Sequence, residues 1–275
     1  MDASAQAFQD FERNGWNEVA EGYARLIGES GMTDAVAGAL LDGAGVRAGM
    51  SVVDVASGPG WVAAAAAGRG ADAVGVDIAT AMVRLAAARY PHVTFCEGAA
   101  EALPLDDASV DAAVSAWGMP HFADHGAFLA EAQRVLRPGG RLALSTWCPP
   151  PQNEVFGLLL GSIAAHGHLD VGLPPGPDMF RFANGEVCAQ ELGAAGFTEI
   201  DVSPLEVALR VDGMDGIVTF LESAAVRSRG LFTAQSAEER AAILTAIEAQ
   251  LASRADADGA VTLQAAAVRI VARKP

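Results

Sequence analysis

The chain has 275 residues, a formal charge of −16, and basic residues that are scattered rather than clustered. That length suits one large α/β domain with an attached cap, or two small domains. The charge argues against nucleic acid, whose affinity comes largely from neutralised phosphates.

No apolar run approaches the length of a membrane span, and the start, Met-Asp-Ala-Ser-Ala-Gln, carries no basic region. Neither a transmembrane segment nor a signal peptide is therefore expected. Cys96, Cys148 and Cys188 are widely spaced and match no zinc or redox pattern. They read as reduced thiols in a cytoplasmic protein, and no metal site is expected.

Residues 1–48 precede the first strand and read as helical. Phe8, Phe11, Trp16, Val19, Tyr23 and Leu26 recur at three- and four-residue intervals and give one apolar face. This segment is either a helix pair packed on the sheet edge or a lid whose Trp16 and Tyr23 close over a ligand.

Ser51 to Gly60, reading Ser-Val-Val-Asp-Val-Ala-Ser-Gly-Pro-Gly, comes next. Val52, Val53 and Val55 form a β-branched run without polar alternation, as expected of a strand buried on both faces of a parallel sheet. The run passes through Ser-Gly-Pro-Gly into an Ala-rich helix over 61–67. Glycines let the backbone approach a ligand closely, and a helix start offers unpaired N–H groups.

A second strand over 73–76 ends in Asp77, whose carboxylate can accept from both hydroxyls of a ribose. A helix containing Met82 runs to about Tyr90 and stops at Pro91. A third strand (93–96) leads into Glu97-Gly-Ala-Ala-Glu101-Ala-Leu-Pro-Leu105. A fourth (111–115) ends at Ala-Trp-Gly-Met-Pro-His121. After a helix over 127–136, Arg137-Pro-Gly-Gly140 turns into a fifth strand over 141–146. Strands alternating with helices at this spacing imply right-handed βαβ units.

Beyond Trp147, Cys-Pro-Pro-Pro-Gln breaks the pattern, and a short helix (154–165) and a Gly/Pro-rich passage follow. A core helix (186–195) and a sixth strand (197–202) resume it. A second insertion with an amphipathic helix over 237–252 precedes a last strand over 261–271. The expected divisions are an N-terminal helical lid (1–48), a core (49–148) and a cap insertion (149–183). Continued core (184–211), a second cap insertion (212–256) and a final core strand (257–275) complete the chain.

The glycine turn admits two readings. A dinucleotide fingerprint needs Gly-x-Gly-x-x-Gly, and the corresponding residues are Ala56, Gly58 and Trp61, so one glycine of three is present. Alternatively, Asp54-Val-Ala-Ser-Gly58-Pro-Gly60 resembles the first motif of the class I S-adenosylmethionine (SAM) methyltransferases, with Ala56 replacing the first glycine.

Four further segments follow in that family's order: Val76-Asp77-Ile78 with Met82, Gly98 to Leu105, Asp111 to Ser115, and Glu131 through Arg-Val-Leu-Arg-Pro-Gly-Gly140. Over residues 45–148 the chain resembles the small-molecule branch that includes ubiquinone/menaquinone C-methyltransferase-like enzymes. The resemblance implies a doubly wound, Rossmann-like α/β sheet of seven strands with helices on both faces. Its last strand would return antiparallel between the fifth and sixth, and helical cap insertions would cover the site.

It also implies roles. Ala56, Ser57, Gly58 and Gly60 would face the methionyl part of SAM, and Asp54 its ammonium, directly or through water. Asp77 would take the ribose hydroxyls, Ile78 and Met82 would sandwich the adenine, and the Ala100 N–H would reach that ring. Ala116 would offer its carbonyl to the ammonium, with Trp117 beside it. Many relatives carry an acidic residue where this chain has Ala99, and Glu101 either compensates or makes structural contacts.

Methyl transfer asks mainly for alignment and exclusion of water. A base is needed when the acceptor must lose a proton, and His121 is placed for that task. Asp124 and His125 read as opening the following helix, and His166 and His168, in the first insertion, either as solvated loop residues or as lining of the acceptor pocket. Trp16, Tyr23, Met119, His121, Trp147 and Phe180 are the expected acceptor pocket, apolar and suited to a planar or hydrophobic molecule.

The expected activity is methyl transfer from SAM to oxygen, nitrogen or carbon of a small metabolite, leaving S-adenosylhomocysteine (SAH). The strand-four loop lacks the Asn/Asp-Pro-Pro-Tyr run used on exocyclic amines of nucleic acids. The alternative is a protein that binds SAM or SAH without transferring methyl, as a sensor or a cyclase. Oligomeric state stays open, a homodimer included.

Overall fold

The computed structural model describes residues 2–223 and 225–275. Helices α1 (Ala3–Glu29) and α2 (Met32–Gly43) precede β1 (Ser51–Val55), and α3 (Trp61–Gly68), β2 (Asp72–Asp77), α4 (Thr80–Arg89) and β3 (Thr94–Glu97) follow. Next come β4 (Val110–Ala116), a 3-10 turn at Met119–His121, α5 (His125–Val135) and β5 (Leu136–Trp147). The chain continues through α6 (Glu154–His166), α7 (Gly185–Ala194), β6 (Thr198–Leu205) and β7 (Ala208–Val211). Helices α8 (Gly213–Ser223), α9 (Val226–Thr233) and α10 (Ala237–Leu251) lead to β8 (Val261–Gln264) and β9 (Ala267–Arg273).

The main sheet has seven strands in the order β3-β2-β1-β4-β5-β9-β6. Its first five strands pair in parallel, and β9 runs antiparallel between β5 and β6. The expected doubly wound sheet is present. In β1, Val52 packs with Leu40 and Leu41 of α2 and Val62 of α3 on one face. Val53 and Val55 pack with Phe128 and Leu129 of α5 and Leu192 of α7 on the other. A strand covered on both faces needs apolar residues at successive positions, which is the pattern that the valines supplied.

Three sequence expectations are corrected. Residues 261–271 are not one strand: β8 leaves the main sheet and pairs antiparallel with β7 in a separate two-stranded ribbon. Asn153 holds the break, its amide donating to the Ala266 carbonyl at 3.0 Å, and Cys148 N–H donates to the same oxygen at 2.9 Å. Residues 208–211, expected as continued core, therefore belong to this ribbon beside the cap helices. The fifth strand also begins earlier than expected, at Leu136, so that Pro-Gly-Gly lies within its irregular first half.

The Arg-Val-Leu-Arg-Pro-Gly-Gly stretch has a structural role. Arg134 donates to the carbonyls of Leu103 (3.0 Å) and Leu105 (2.7 Å) and pairs with Glu131 and Asp107. Glu131 in turn accepts from Leu103 N–H at 2.7 Å. One guanidinium fork thereby fixes the Glu97–Leu105 loop to α5, and that loop borders the cavity described next.

Candidate active site

At the carboxyl ends of β1, β2 and β4 lies a chamber of about 1140 Å³ counted to its mouth. That figure includes the solvent at its mouth, and the lining is chiefly apolar with a few convergent polar groups, as in small-ligand pockets. The parallel strands set its floor, because ligands in such sheets sit beyond the strand ends near the switch point.

The turn after β1 is shaped by backbone sign. Gly58 and Gly60 have φ of +50° and +89°, and Ala56 has φ of +56°. A side chain at Gly60 would put its Cβ 2.7 Å from the Phe95 ring, so glycine lets the loop lie flat against β3. Ala56 adopts the left-handed conformation at the position where the family pattern has glycine.

Asp77 ends β2 almost fully buried. Its Oδ2 accepts from Gly58 N–H at 2.8 Å and its Oδ1 from Ala79 N–H at 2.9 Å. Each oxygen keeps a further lone pair for an incoming hydroxyl. Burial holds this carboxyl up at about 6, against the opposing pull of the two N–H donors and of nearby His121.

Asp54, inside β1, is more extreme. Its Oδ2 accepts from Ala63 N–H at 3.0 Å, and Oδ1 is buried without a partner. Burial, with a smaller contribution from the charge of Asp77, raises its carboxyl to about 8. Ser57 Oγ and the Trp117 indole N–H are likewise buried and unpaired. These groups line a smaller recess beside the chamber, shared by Ala56, Gly58 and Ala116. Unsatisfied buried polar groups cost free energy, and their clustering at one spot marks a place built for a polar ligand.

Helix α1 forms the opposite wall. Gln9, Glu12, Trp16, Tyr23 and Ile27 face the chamber from it. Trp16 stands edge-on to Tyr23 and to His121, with ring centroids 5.1 and 5.0 Å apart. Burial, and secondarily Asp77, raises the Tyr23 phenol above its usual range. Glu12 is 2% exposed, and its Oε2 lies 2.9 Å from His121 Nδ1. Trp117 stacks on Trp147 at 4.8 Å and 8°, and Phe156 and Phe220 extend that apolar wall.

Of the residues expected from sequence, Ala56, Gly58, Asp77, Ile78, Met82, Ala100, Glu101, Ala116, Trp117, Trp16, Tyr23, His121 and Trp147 line the chamber. Asp54 and Ser57 lie in the adjoining recess. Gly60 and Ala99 border neither space; Gly60 instead packs its backbone under Phe95. Met119 is 1% exposed and belongs to the core under the 3-10 turn, so it is not pocket wall. Phe180 does not border the chamber either, but packs edge-on behind Phe156 at 5.3 Å.

Glu101 accepts from the N–H groups of Ala123 (2.7 Å) and Asp124 (3.3 Å), and from Gln9 at 3.3 Å. These are the structural contacts named above as one of its two readings. Asp124 caps α5 as expected, accepting from Ala127 N–H at 2.9 Å, and His125 is its first residue. His166 and His168 are exposed on the cap, His168 against Glu239.

Sequence reasoning missed Gln9, Glu12, Val155, Phe156, Leu209 and Phe220. Phe156 sits on the apolar face of α6, and its spacing was visible, but not what it faces. Among the described residues no cluster of metal-ligating side chains occurs, and no helix is long and apolar enough to cross a membrane.

A parallel sheet with a glycine turn after its first strand, a buried carboxylate ending its second, and an antiparallel strand inserted between β5 and β6 defines the class I methyltransferase fold. The comparisons agree. Residues 53–144 match the family described as "Methyltransferase domain", so the chain carries such a domain. It is 40% identical over 113 residues to a demethylmenaquinone methyltransferase of Beutenbergia cavernae, across 41% of this chain and 47% of that protein. The chain spans about half the length of the curated relatives it matches.

Among solved structures, Haemonchus contortus phosphoethanolamine N-methyltransferase 2 superposes with a TM-score of 0.61 at 19% identity, covering 98% of this chain and 60% of that one. The [4+2]-cyclase SpnF superposes at 0.53 with 20% identity, covering 88% and 80%. One fold thus carries both a methyltransferase and a cyclase, and the chemistry has to be argued from the site.

Proposed function

We propose that this chain transfers a methyl group from SAM to a small, apolar or aromatic acceptor. The observation that supports it most is that a recess with unsatisfied polar groups adjoins a chamber bounded by the stacked indoles of Trp117 and Trp147 and by His121.

SAM supplies a carbon already activated by sulfonium, so the protein's tasks are orientation and exclusion of water. The residues fit that ligand. Unpaired Asp54 Oδ1 suits an ammonium, and the spare lone pairs of Asp77 suit two ribose hydroxyls. Ile78 and Met82 offer two aliphatic surfaces to a purine. The Ala100 N–H, which makes no hydrogen bond among the described residues, is free to donate to it. Ala99 removes one acceptor that many relatives have, and Glu101 is occupied by Ala123, Asp124 and Gln9. Losing one neutral hydrogen bond weakens purine recognition by about 1 kcal/mol, which leaves binding intact.

The acceptor would lie against Trp117, Trp147 and Phe156, with His121 as its base where a proton must leave. Three free cysteines are in keeping with a cytoplasmic protein.

The test is binding followed by turnover. Calorimetry should show SAM uptake, and Asp77→Ala should weaken it about tenfold or more by removing charge-assisted bonds. A phenol and amine panel should then yield SAH. Unchanged affinity in Asp77→Ala would remove Asp77 from the site. Binding without turnover across the panel would favour the non-transferring protein.

A further inference from the structure

We infer that Glu12 of α1 is a positioning residue for His121, and that the pair serves an acceptor that must shed a proton as it attacks, an aromatic hydroxyl. The inference rests on the methyl-transfer reading above.

Glu12 is a carboxylate 2% exposed, and such burial is costly unless the group is paired. Its hydrogen-bond partner among the described residues is His121, 109 residues away, at 2.9 Å from Nδ1. A carboxylate only accepts, so Nδ1 carries a proton, and in the neutral ring Nε2 is then bare. Among the described residues Nε2 has no hydrogen-bond partner, and it is not one of the sealed, unpaired polar atoms. The ring borders the chamber, so Nε2 is available to a ligand there. Trp16 holds the ring from the side, edge-on at 5.0 Å and 87°. A carboxylate fixing one ring nitrogen while the other faces the reacting space is the geometry of an oriented general base.

The wall narrows the acceptor. Its ionisable carboxylates are Glu12, Asp77 and Glu101, and none of its lining residues is Lys or Arg. Among the described residues the wall itself offers an anionic acceptor no Lys or Arg, so a neutral acceptor that ionises beside the donor's sulfonium suits it. A neutral amine attacks through its lone pair and sheds its proton afterwards, so a base at the reacting atom does little for it. An aromatic hydroxyl gains nucleophilicity as its proton leaves, and its ring matches the stacked indoles of Trp117 and Trp147.

The step balances. The hydroxyl proton passes to His121 Nε2, and the oxygen's electron pair forms the new O–C bond. The C–S bond breaks with its pair left on sulfur, and the imidazolium, held by Glu12, returns its proton to solvent.

The test uses ring nitrogen-15 NMR on the intact chain, together with kinetics. With His121 neutral, the wild type should show Nδ1–H and bare Nε2. Glu12→Leu should shift the ring toward the Nε2–H tautomer. Turnover of phenols should fall roughly ten- to hundredfold, the usual effect of losing such an outer partner. SAM affinity should stay within about twofold, since Glu12 does not meet the cradle. Glu12→Gln, which keeps size and fold, should also lose turnover. An Nε2–H tautomer in the wild type, or full phenol turnover in both variants, would overturn the role of Glu12. Amine turnover with inert phenols would overturn the acceptor class. Failure of the wild type to bind SAM would overturn the methyl-transfer reading instead, and the tautomer readout would still judge Glu12.

Discussion

Binding of SAH at pH 7 is expected to expel close to one proton, and Asp54 is the reason. Burial holds its carboxyl at about 8, so at pH 7 it carries a proton in ~0.9 of ligand-free molecules. An ammonium beside the unpaired Oδ1 favours the carboxylate and draws that group back toward its ordinary range. The free ligand's amine, set beside its own carboxylate, titrates above the range of a chain's α-amino group and is already an ammonium at pH 7. Asp77, at about 6, gives up ~0.1 proton when hydroxyls donate to it. The net release is therefore close to one proton.

Calorimetry in phosphate and in Tris measures it, because the difference in binding enthalpy between buffers scales with the protons released. At pH 9 Asp54 is already largely ionised, so the release should largely vanish. Asp54→Asn should abolish the release at pH 7. Equal enthalpies in both buffers, or an undiminished release from Asp54→Asn, would refute the placement of the ammonium at Asp54. The same burial has a signature without ligand. Between about pH 4 and 8 the folded state binds more protons at Asp54 than the unfolded chain does, so stability falls as pH rises through that window.

Gly60→Ala should destabilise by about 2–4 kcal/mol, joining left-handed strain to overpacking against Phe95, and lower Tm by at least about 4 °C. A scanning-calorimetry Tm equal to wild type would show that the turn adapts at no cost. Arg134→Met strands the Leu103 and Leu105 carbonyls and Glu131, for an expected loss of about 2 kcal/mol. Because the freed loop carries Gly98, Ala100 and Glu101, SAM affinity should fall with stability; an unaltered affinity would separate this motif from the site.

The strand-tip half of the candidate site was legible because it is local. Val52 to Gly60 encodes strand and glycine turn within ten residues, and Asp77 ends the next strand. The half facing α1 and the cap was not, because its members meet only through the fold. Glu12 reads as one more charge on a helix, and nothing near it in sequence announces a histidine 109 residues away. Leu209 and Phe220 lie in the ribbon and cap, whose placement depends on β8 leaving the main sheet. That departure is invisible to periodicity, since burial alternates without interruption through Val261, Leu263, Ala265 and Ala267 while the strand changes partner. Ala265 N–H donates to Val207 while Ala266 bonds back toward Cys148 and Asn153, and these contacts set the break.

The backbone offers an independent sign of where function lies. Among the described residues four non-glycine positions have positive φ, and two of them, Ala56 at +56° and Trp117 at +57°, stand at the tips of β1 and β4 and line the same chamber. Left-handed backbone costs a non-glycine residue about 1–2 kcal/mol. Beside these two lie Asp54 Oδ1, Ser57 Oγ and the Trp117 indole N–H, all buried and without partners. A sheet optimised only for stability would place glycine at such tips and satisfy polar groups as it does in capping α5 with Asp124 and α10 with Ser236. Buried unpaired atoms also occur at Ser115, Gln133, Thr146 and Arg269, but at this recess they coincide with left-handed backbone. Strain and unmet hydrogen-bonding capacity converge instead on one recess between two strand ends. A ligand bringing an ammonium or hydroxyls to that recess would satisfy at least Asp54 and Ser57. The local cost in the ligand-free fold would then become affinity in the complex, which is why the cofactor half of the chamber is expected to be largely preformed.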